Sequence, residues 1–307
     1  MVDLKIEWGQ GVLKTVQENG FQMDHDILYW SLFMGEPFLI NNEWVGYYDG
    51  ERLLIYTISI YDNIIIPDLL SIEIVKHFIS NYTLCYIEFW GDDIPTPFLI
   101  EGWFNKFYDT GNDYIGMQID LFEFNINEKR IKRRIKEYQR RNYTIEVVSR
   151  KYFEVEHYNL IREFINTHEL VEFDVTYMAY IDFFLNSEYA KIIEVRNLSN
   201  NLIGFATINM YLKKCPILVH NFISRDYANV SDAIYHRLIT ETLSQKIQIL
   251  DLGYSMHKSL KEYKLNWGAN KLRGSVKGMQ FFQQSAYIEG YLHWWSFELK
   301  KYYDGIK

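Results

Sequence analysis

Between residues 38 and 59 the chain shows three β-type runs, Phe38-Leu39-Ile40, Trp44-Val45-Gly46-Tyr47-Tyr48 and Leu53-Leu54-Ile55-Tyr56-Thr57-Ile58, broken at Asn41-Asn42 and Asp49-Gly50. Short apolar runs divided by turn residues predict an antiparallel meander, with Asp-Gly at the tighter turn. The period then changes. Leu69, Ile72, Val75, Phe78 and Ile79 recur at helical spacing behind Asp68, which is placed to cap a helix that packs on the sheet. Residues 84–89 read as another strand, 91–97 as the irregular loop after it, and 114–121 as a strand that ends the first half. Residues 8–33 carry mixed helical and loop signals.

The second half opens on a cationic segment, Glu128-Lys129-Arg130-Ile131-Lys132-Arg133-Arg134-Ile135-Lys136-Glu137-Tyr138-Gln139-Arg140-Arg141, behind Asn127 as a possible cap. Ile131, Ile135 and Tyr138 recur at i, i+4 and i+7, so one narrow stripe docks while the remaining faces carry charge. A strand is expected at 144–148, then helices at 157–168, with Leu160, Phe164 and Ile165 on one side, and at 176–186. Two β-runs, 190–196 and 202–210, flank the turn signal Ser199-Asn200-Asn201. A strand at 217–223 precedes a helix at 231–244, with Ser231 as cap and Ile234, Leu238 and Leu243 inward. The apolar run Ile249-Leu250 stops at Asp251-Leu252-Gly253-Tyr254. A helix-compatible stretch then ends in Tyr263-Lys264-Leu265-Asn266, and Trp267-Gly268 turns the chain into a last β-rich run.

These alternations predict an α/β protein of mixed, largely antiparallel sheets flanked by helices. A length of 307 residues suits two cores of about 150 residues each. The change of pattern near residue 125 divides the chain into 1–125, where no nucleophile–base or metal spacing occurs and a substrate-binding or structural domain is expected, and 126–307, where the resemblance described next implies a catalytic domain. The net charge of −8 argues against a general affinity for nucleic acid, so phosphate binding falls to a local patch such as the 128–141 helix. Several arginine forks at helical spacing suit a pyrophosphate or an RNA backbone; the alternative is a solvated cationic face. The 45 Tyr and Phe residues and eight Trp are expected mainly in the cores. Cys85 and Cys215 are far apart and lack metal-ligand spacing, so neither a zinc site nor a disulfide framework is indicated, and a reducing, cytoplasmic setting is expected. The N-terminus lacks a signal-peptide pattern, and no apolar run approaches the roughly 20 residues of a membrane span.

The order strand, two helices, three antiparallel-type strands, helix, strand, helix, strand over about residues 143–278, with Asp251-Leu252-Gly253 and Lys264-Leu265-Asn266-Trp267-Gly268, resembles the FemABX-type and related GNAT-like acyltransferases. Those families place a strand ending in D-L-G before F-K-x-x-F/W-G; here Tyr263 stands where Phe is common. The 128–141 helix followed by a strand is similar to the FemABX-type entry into a second GNAT-like domain, so the resemblance implies two tandem GNAT-like domains. It also implies transfer of an aminoacyl or acyl group to a small-molecule or peptidyl amine, forming an amide, with no tightly bound cofactor. An ester is the product in the related lipid-modifying branch. The donor is aminoacyl-tRNA or acyl-CoA, and charged tRNA becomes the expected partner. The loop at 224–231, Ser-Arg-Asp-Tyr-Ala-Asn-Val-Ser, lacks the glycines with which CoA-dependent members bring backbone amides to a pyrophosphate, which favours tRNA.

The chemistry requires two oriented reactants, a neutral amine and a stabilised oxyanion. By the resemblance, Lys264 faces the reacting centre, where its cation stabilises an oxyanion or an acceptor phosphate; read alone, it is a helix-end lysine. Tyr263 either donates to the leaving oxygen or packs. Tyr254, beyond the strand end, positions substrate. His220 and Asn221 lie on the strand whose backbone polarises the acyl carbonyl in GNAT-like enzymes; a strand histidine is otherwise a core residue. Arg225, Lys271 and Arg273 either supplement the phosphate grip of Arg133, Arg134, Arg140 and Arg141 or are surface charge. In the first half, Asp92 and Asp93 could hold an amine, or be solvated loop carboxylates. His236 and His257 have no carboxylate at a telling spacing, and no hydrolase elbow is present. A catalytically silent GNAT-like binding protein and a CoA-dependent N-acyltransferase are the competing readings.

Overall fold

The computed structural model describes residues 4–9, 11–12, 15, 31, 34–57, 66–91, 93–109, 111, 115–168, 181–186, 189–210, 215–255, 257–275 and 277–283. In chain order the first elements are β1 (Ile6–Trp8), β2 (Glu36–Ile40), β3 (Trp44–Tyr48), β4 (Arg52–Tyr56), α1 (Asp68–Asn81), β5 (Tyr86–Gly91), β6 (Trp103–Asp109) and β7 (Ile115–Asp120). Next come α2 (Lys129–Gln139), β8 (Thr144–Val148), α3 (Val155–Thr167), a 3-10 helix (Ile181–Asn186), β9 (Ala190–Arg196), β10 (Leu202–Asn209) and β11 (Ile217–Ile223). The last are α4 (Val230–Ser244), β12 (Ile249–Ser255), α5 (Lys258–Asn266), β13 (Lys271–Ser275) and β14 (Lys277–Gln283). The sequence patterns account for most of these elements; β1, β6 and the separate β14 are additions.

Two sheets of seven strands form, in the orders β1-β2-β3-β4-β5-β14-β6 and β8-β9-β10-β11-β12-β7-β13. Among the described residues the first sheet falls in one compact unit, within 4–115 and 273–283, and the second in another, within 116–272, with the start of β7 and the end of β13 at the division. A boundary at 125/126 therefore does not separate the sheets. The strand expected to close the first half, β7, pairs in the second sheet, and β14 from the second half lies between β5 and β6. The ladder explains the return of β14: Lys277↔Gly91 through Phe282↔Tyr86 on one side and Lys277↔Asp109 through Gln283↔Trp103 on the other. Its alternate residues Met279 and Phe281 also enter the apolar core of that unit.

In the first unit, α1 covers this core with Leu70, Ile74, Val75 and Phe78 against Phe38, Leu53, Ile55, Ile87 and Phe89. The buried stripe is rotated from the expected one, leaving Leu69 69% and Ile79 37% exposed. Proline at 67 takes the N-cap position, and Asp68 is the first helical residue.

In the second unit, α3 buries Leu160 and Ile161 with Phe184, Ile192, Phe205 and Phe222, while Phe164 and Ile165 pack half-buried beside them. Burial of each such side chain contributes roughly 1.5–3 kcal/mol. The helix is also fastened by charge. The buried carboxylate of Glu194 on β9 accepts from Arg150 Nε, from Arg196 Nη2 at 3.1 Å and from the ring of His157 at 3.2 Å. Burial pushes this carboxyl up, but the His157 and Arg150 hydrogen bonds and the Arg150 charge outweigh it and hold Glu194 at about 2.

On α4, Ile234 and Leu238 are buried as expected, whereas Leu243 is exposed. The helix is capped by Asn229 rather than Ser231. Its first residue, Val230, lies so close to β10 that a Cβ at Gly204 would stand 2.4 Å from its Cγ1, so only glycine fits there. Among the described residues no helix is long and apolar enough to cross a membrane.

Candidate functional site

Within the second unit, β11 and β12 are parallel neighbours joined by α4. Their described ladder has one pair, Ile217↔Asp251, reinforced by the Asp251 amide donating to the Pro216 carbonyl at 2.9 Å. Beyond it the regular ladder ends, although Gly253 still lies beside the Leu218 carbonyl of β11, and the irregularity falls at Asp251-Leu252-Gly253. Gly253 adopts φ 68°, a left-handed conformation that kinks the strand without ending it. The buried Asp251 carboxylate folds forward to accept the Gly253 amide at 2.7 Å, and its other oxygen accepts Gln118 Nε2 of β7 at 3.0 Å. One side chain therefore fixes the kink and ties it to the next strand. The ends of parallel strands are where α/β sheets admit ligands.

The kink turns two carbonyls out of register, and Lys264 takes them. Its ammonium donates to Gly253 O at 3.0 Å and Tyr254 O at 2.6 Å, and the residue is only 3% exposed. Lys264 is thus a buried clamp on the strand end, rather than a solvated helix-end lysine. Its neighbours on α5 are held just as firmly. Tyr263 Oη donates at 2.8 Å and Trp267 Nε1 at 2.9 Å to the same atom, Asp232 Oδ1 of α4. Arg134 of α2 reaches that oxygen at 3.0 Å, with its guanidinium 5.1 Å from the centre of the Tyr263 ring. Asn229 Nδ2 completes the shell at Asp232 Oδ2, 3.2 Å away. Burial first, then the Asp232 charge, pushes the Tyr263 hydroxyl well above its ordinary range, so it stays a donor.

At the C-terminal end of α2, Arg140 and Arg141 line a cleft of about 320 Å³ with Glu137 and Asn229. Asn229 caps α4, so two guanidinium groups stand beside the N-terminus of a 15-residue helix. That combination favours an anion through charge, fork geometry and the helix dipole. Two amides at the start of the preceding loop are already committed: Arg225 N donates to Glu163 Oε1 at 3.0 Å and Ser224 N to Ile203 O at 2.9 Å.

The other expected site residues divide sharply. Arg134 is withdrawn from any substrate grip by Asp232, and the Tyr263 hydroxyl is likewise committed to that carboxylate rather than to a leaving oxygen. Arg133 pairs on the surface with Glu137 at 3.2 Å. Arg225 Nη2 donates to Thr167 O of α3 at 3.2 Å, away from a phosphate role. His220 is a core residue: its Nδ1 lies 2.6 Å from Thr207 Oγ1, its ring stacks on Phe222, and burial pushes its pKa down to about 3. Asn221 Nδ2 reaches Ser231 Oγ at 3.4 Å, and its Oδ1 is buried without a hydrogen-bond partner. Tyr254 contributes its carbonyl to the Lys264 clamp. The side chains of Lys271 and Arg273 on β13, and Asp92, lie outside the described residues. Asp93 Oδ1 accepts from Lys277 Nζ at 3.2 Å in the first unit. Asp232 was not anticipated, because an acid in a first helical turn is an ordinary dipole partner. Among the described residues, no cluster of three or more His, Cys, Asp or Glu is arranged to hold a metal ion.

No protein-family model matches the sequence, and no curated protein matches it by sequence. Solved structures do share its fold. L-PGS from Bacillus licheniformis is 14% identical with a TM-score of 0.56, the match covering 91% of this chain and 93% of that one. The C-terminal domain of a protein described as a lysylphosphatidylglycerol synthetase, from Agrobacterium fabrum, is 13% identical with a TM-score of 0.55, covering 90% and 93%. FemX is 10% identical with a TM-score of 0.57, covering 89% and 96%. The chain therefore shares the fold of FemX and L-PGS.

Proposed function

We propose that the second unit transfers an aminoacyl group from a tRNA ester to an amine, forming an amide. The observation that carries this reading is the end of the β11–β12 ladder at the Asp251-Leu252-Gly253 kink, clamped by Lys264 and lying in the same unit as the Arg140–Arg141 cleft. The names of the fold's other bearers, a lysylphosphatidylglycerol synthetase among them, support aminoacyl transfer. The committed loop amides of Ser224 and Arg225 support a donor other than acyl-CoA, since they are unavailable to a pyrophosphate.

In the step itself the neutral amine nitrogen attacks the ester carbonyl. The C–N bond forms, the C–O bond to the ribose breaks, and the amine proton passes to the departing ribose oxygen. Backbone N–H groups of β11 and β12 beside the kink serve as oxyanion donors, and the Lys264 charge adds positive potential there. Arg140, Arg141 and the N-terminus of α4 hold a donor phosphate, which orients the ester without acting on it.

Lys264→Met tests the mechanism in a transfer assay with charged tRNA and with acyl-CoAs. Turnover with charged tRNA should fall about 100-fold, with Lys264→Arg recovering part of it if charge is what matters. Unchanged turnover would remove Lys264 from the mechanism. Wild-type turnover with acyl-CoA alone would overturn the donor, and failure with both donors would favour the catalytically silent binding protein. Reversing charge at Arg140 and Arg141 should weaken tRNA binding and reduce its salt slope by about 1.5–2.

A further inference from the structure

Both backbone groups of Gly253 are held by side chains. The Asp251 amide donates across to the Pro216 carbonyl beside β11, and in a regular strand Gly253, two residues on, would face the same way. Instead the Gly253 amide is taken by Asp251 Oδ1 at 2.7 Å and its carbonyl by Lys264 Nζ at 3.0 Å. β11 is irregular at the same level. Its pairing with β10 passes from Ile208↔Leu218 to Thr207↔His220, which leaves Val219 as a bulge, and the Leu218 carbonyl lies 3.4 Å from the place of a Gly253 Cβ. Kink and bulge therefore face each other, and the kink depends on where one buried carboxylate points.

That direction is set from β7. Gln118, 6% exposed, donates Nε2 at 3.0 Å to Oδ2 of Asp251, which is 2% exposed. β7 is itself fastened beside the kink: Gln118 O accepts the Asn270 amide at 3.1 Å, and Ser255 Oγ, at the far end of β12, donates to Met117 Sδ at 3.2 Å. We infer that Gln118 is a positioning residue for the proposed transfer: its carboxamide turns the Asp251 carboxylate onto the Gly253 amide and so fixes the β12 backbone opposite the β11 bulge. The inference rests on the transfer reading, with the kink as the place where the carbonyl is attacked. A neutral donor suits the task. An arginine or lysine at this position would draw the carboxylate into an ion pair and away from the Gly253 amide, whereas a side chain without a donor would take a hydrogen bond from a buried oxygen. In the sequence Gln118 is one polar residue of an alternating strand, and its partner lies 133 positions on.

Turnover and hydrogen exchange test the role together. Gln118→Leu keeps the bulk and removes the donor. With charged tRNA it should lower kcat about 10-fold while changing KM less than about 2-fold, and it should speed exchange at the Gly253 amide about 3- to 10-fold. Gln118→Glu keeps the shape, and a carboxyl pair regains the hydrogen bond once it shares a proton. Its loss relative to wild type at the same pH should therefore shrink as pH falls from about 8 to about 6, whereas that of Gln118→Leu should not. This second variant also covers the case in which Gln118→Leu fails to fold. Wild-type turnover of Gln118→Glu throughout that range, beside a loss in Gln118→Leu, means that the pair keeps its proton and supports the role. Undiminished kcat in folded Gln118→Leu, or equal losses in the two variants at every pH, would overturn it. The transfer reading fails separately, if the wild type turns over with neither charged tRNA nor acyl-CoA; exchange at Gly253 still decides whether Gln118 holds the kink.

Discussion

The two units contain the same crossover, parallel strand to helix to parallel strand, and treat it in opposite ways. In the first, β4 and β5 stay zipped through five registered pairs, from Arg52↔Tyr86 to Tyr56↔Trp90. In the second, the β11–β12 ladder has one registered pair before the Gly253 kink. The helix starts differ as well. Asp68 opens α1 on the surface and accepts a single amide, Thr96 N at 2.7 Å. Asp232, in the first turn of α4, is buried under an arginine, a tyrosine and a tryptophan. The first pairs a continuous ladder with a solvated helix start, whereas the second pairs an interrupted ladder with a buried helix start and adjacent arginines, the arrangement proposed above as the transfer site.

The sharpest way to break this contrast is to remove the two helix-start acids. Asp232→Leu strands Arg134 without its partner and should cost about 3–5 kcal/mol in denaturant unfolding. Asp68→Ala, in the first unit, should cost about 1 kcal/mol or less. Similar losses at both positions would erase the distinction between the two starts.

Acid is the next lever, acting through Glu194. Its carboxyl is held at about 2 in the folded chain against an ordinary 4.5, so folding favours the charged form. Its contribution is complete above the unfolded value and fades as pH falls from there toward 2. The amount at stake is on the order of 3 kcal/mol. Hydrogen exchange at β9 should rise on acidification before exchange at β4 and β5 does, and Glu194→Gln should flatten that dependence while lowering stability at neutral pH.

A smaller effect is expected at the kink. Gly253→Ala places a Cβ on left-handed backbone, 3.4 Å from the Leu218 carbonyl, and should cost about 1–2 kcal/mol in thermal unfolding. A neutral result would mean that the ladder ends for reasons other than Gly253. Smallest of all, Arg133→Ala removes an exposed i,i+4 pair and should change stability by less than about 0.5 kcal/mol.

Much of this architecture was legible in residue order. The meander, α1, α2 and the β8-to-β13 succession follow from local periodicity, and Asp251-Leu252-Gly253 with Lys264 and Trp267-Gly268 marked the stretch that forms the kink and its clamp. What escaped was nonlocal. The register of α1 shifts because the helix meets a sheet that includes Met279 and Phe281, far away in sequence. Arg134 resembles every other cation of its helix until Asp232, 98 positions later, buries it. His220 is neutralised by aromatic neighbours that come from the 3-10 helix and its own strand. The position of β14 could not be read from a run of apolar residues, since the run itself does not say which sheet it joins.

The exchange of β7 and β14 bears on how the protein is made. The first sheet lacks its sixth strand until residue 283 has left the ribosome, and the second takes its sixth strand from residues synthesised before its other strands. Neither sheet is complete when the first 125 residues have emerged, so the early chain presents the open flanks of β5 and β6 to its surroundings throughout the remaining synthesis. Among the described residues, the last strand to be made is the one that fills the gap between β5 and β6.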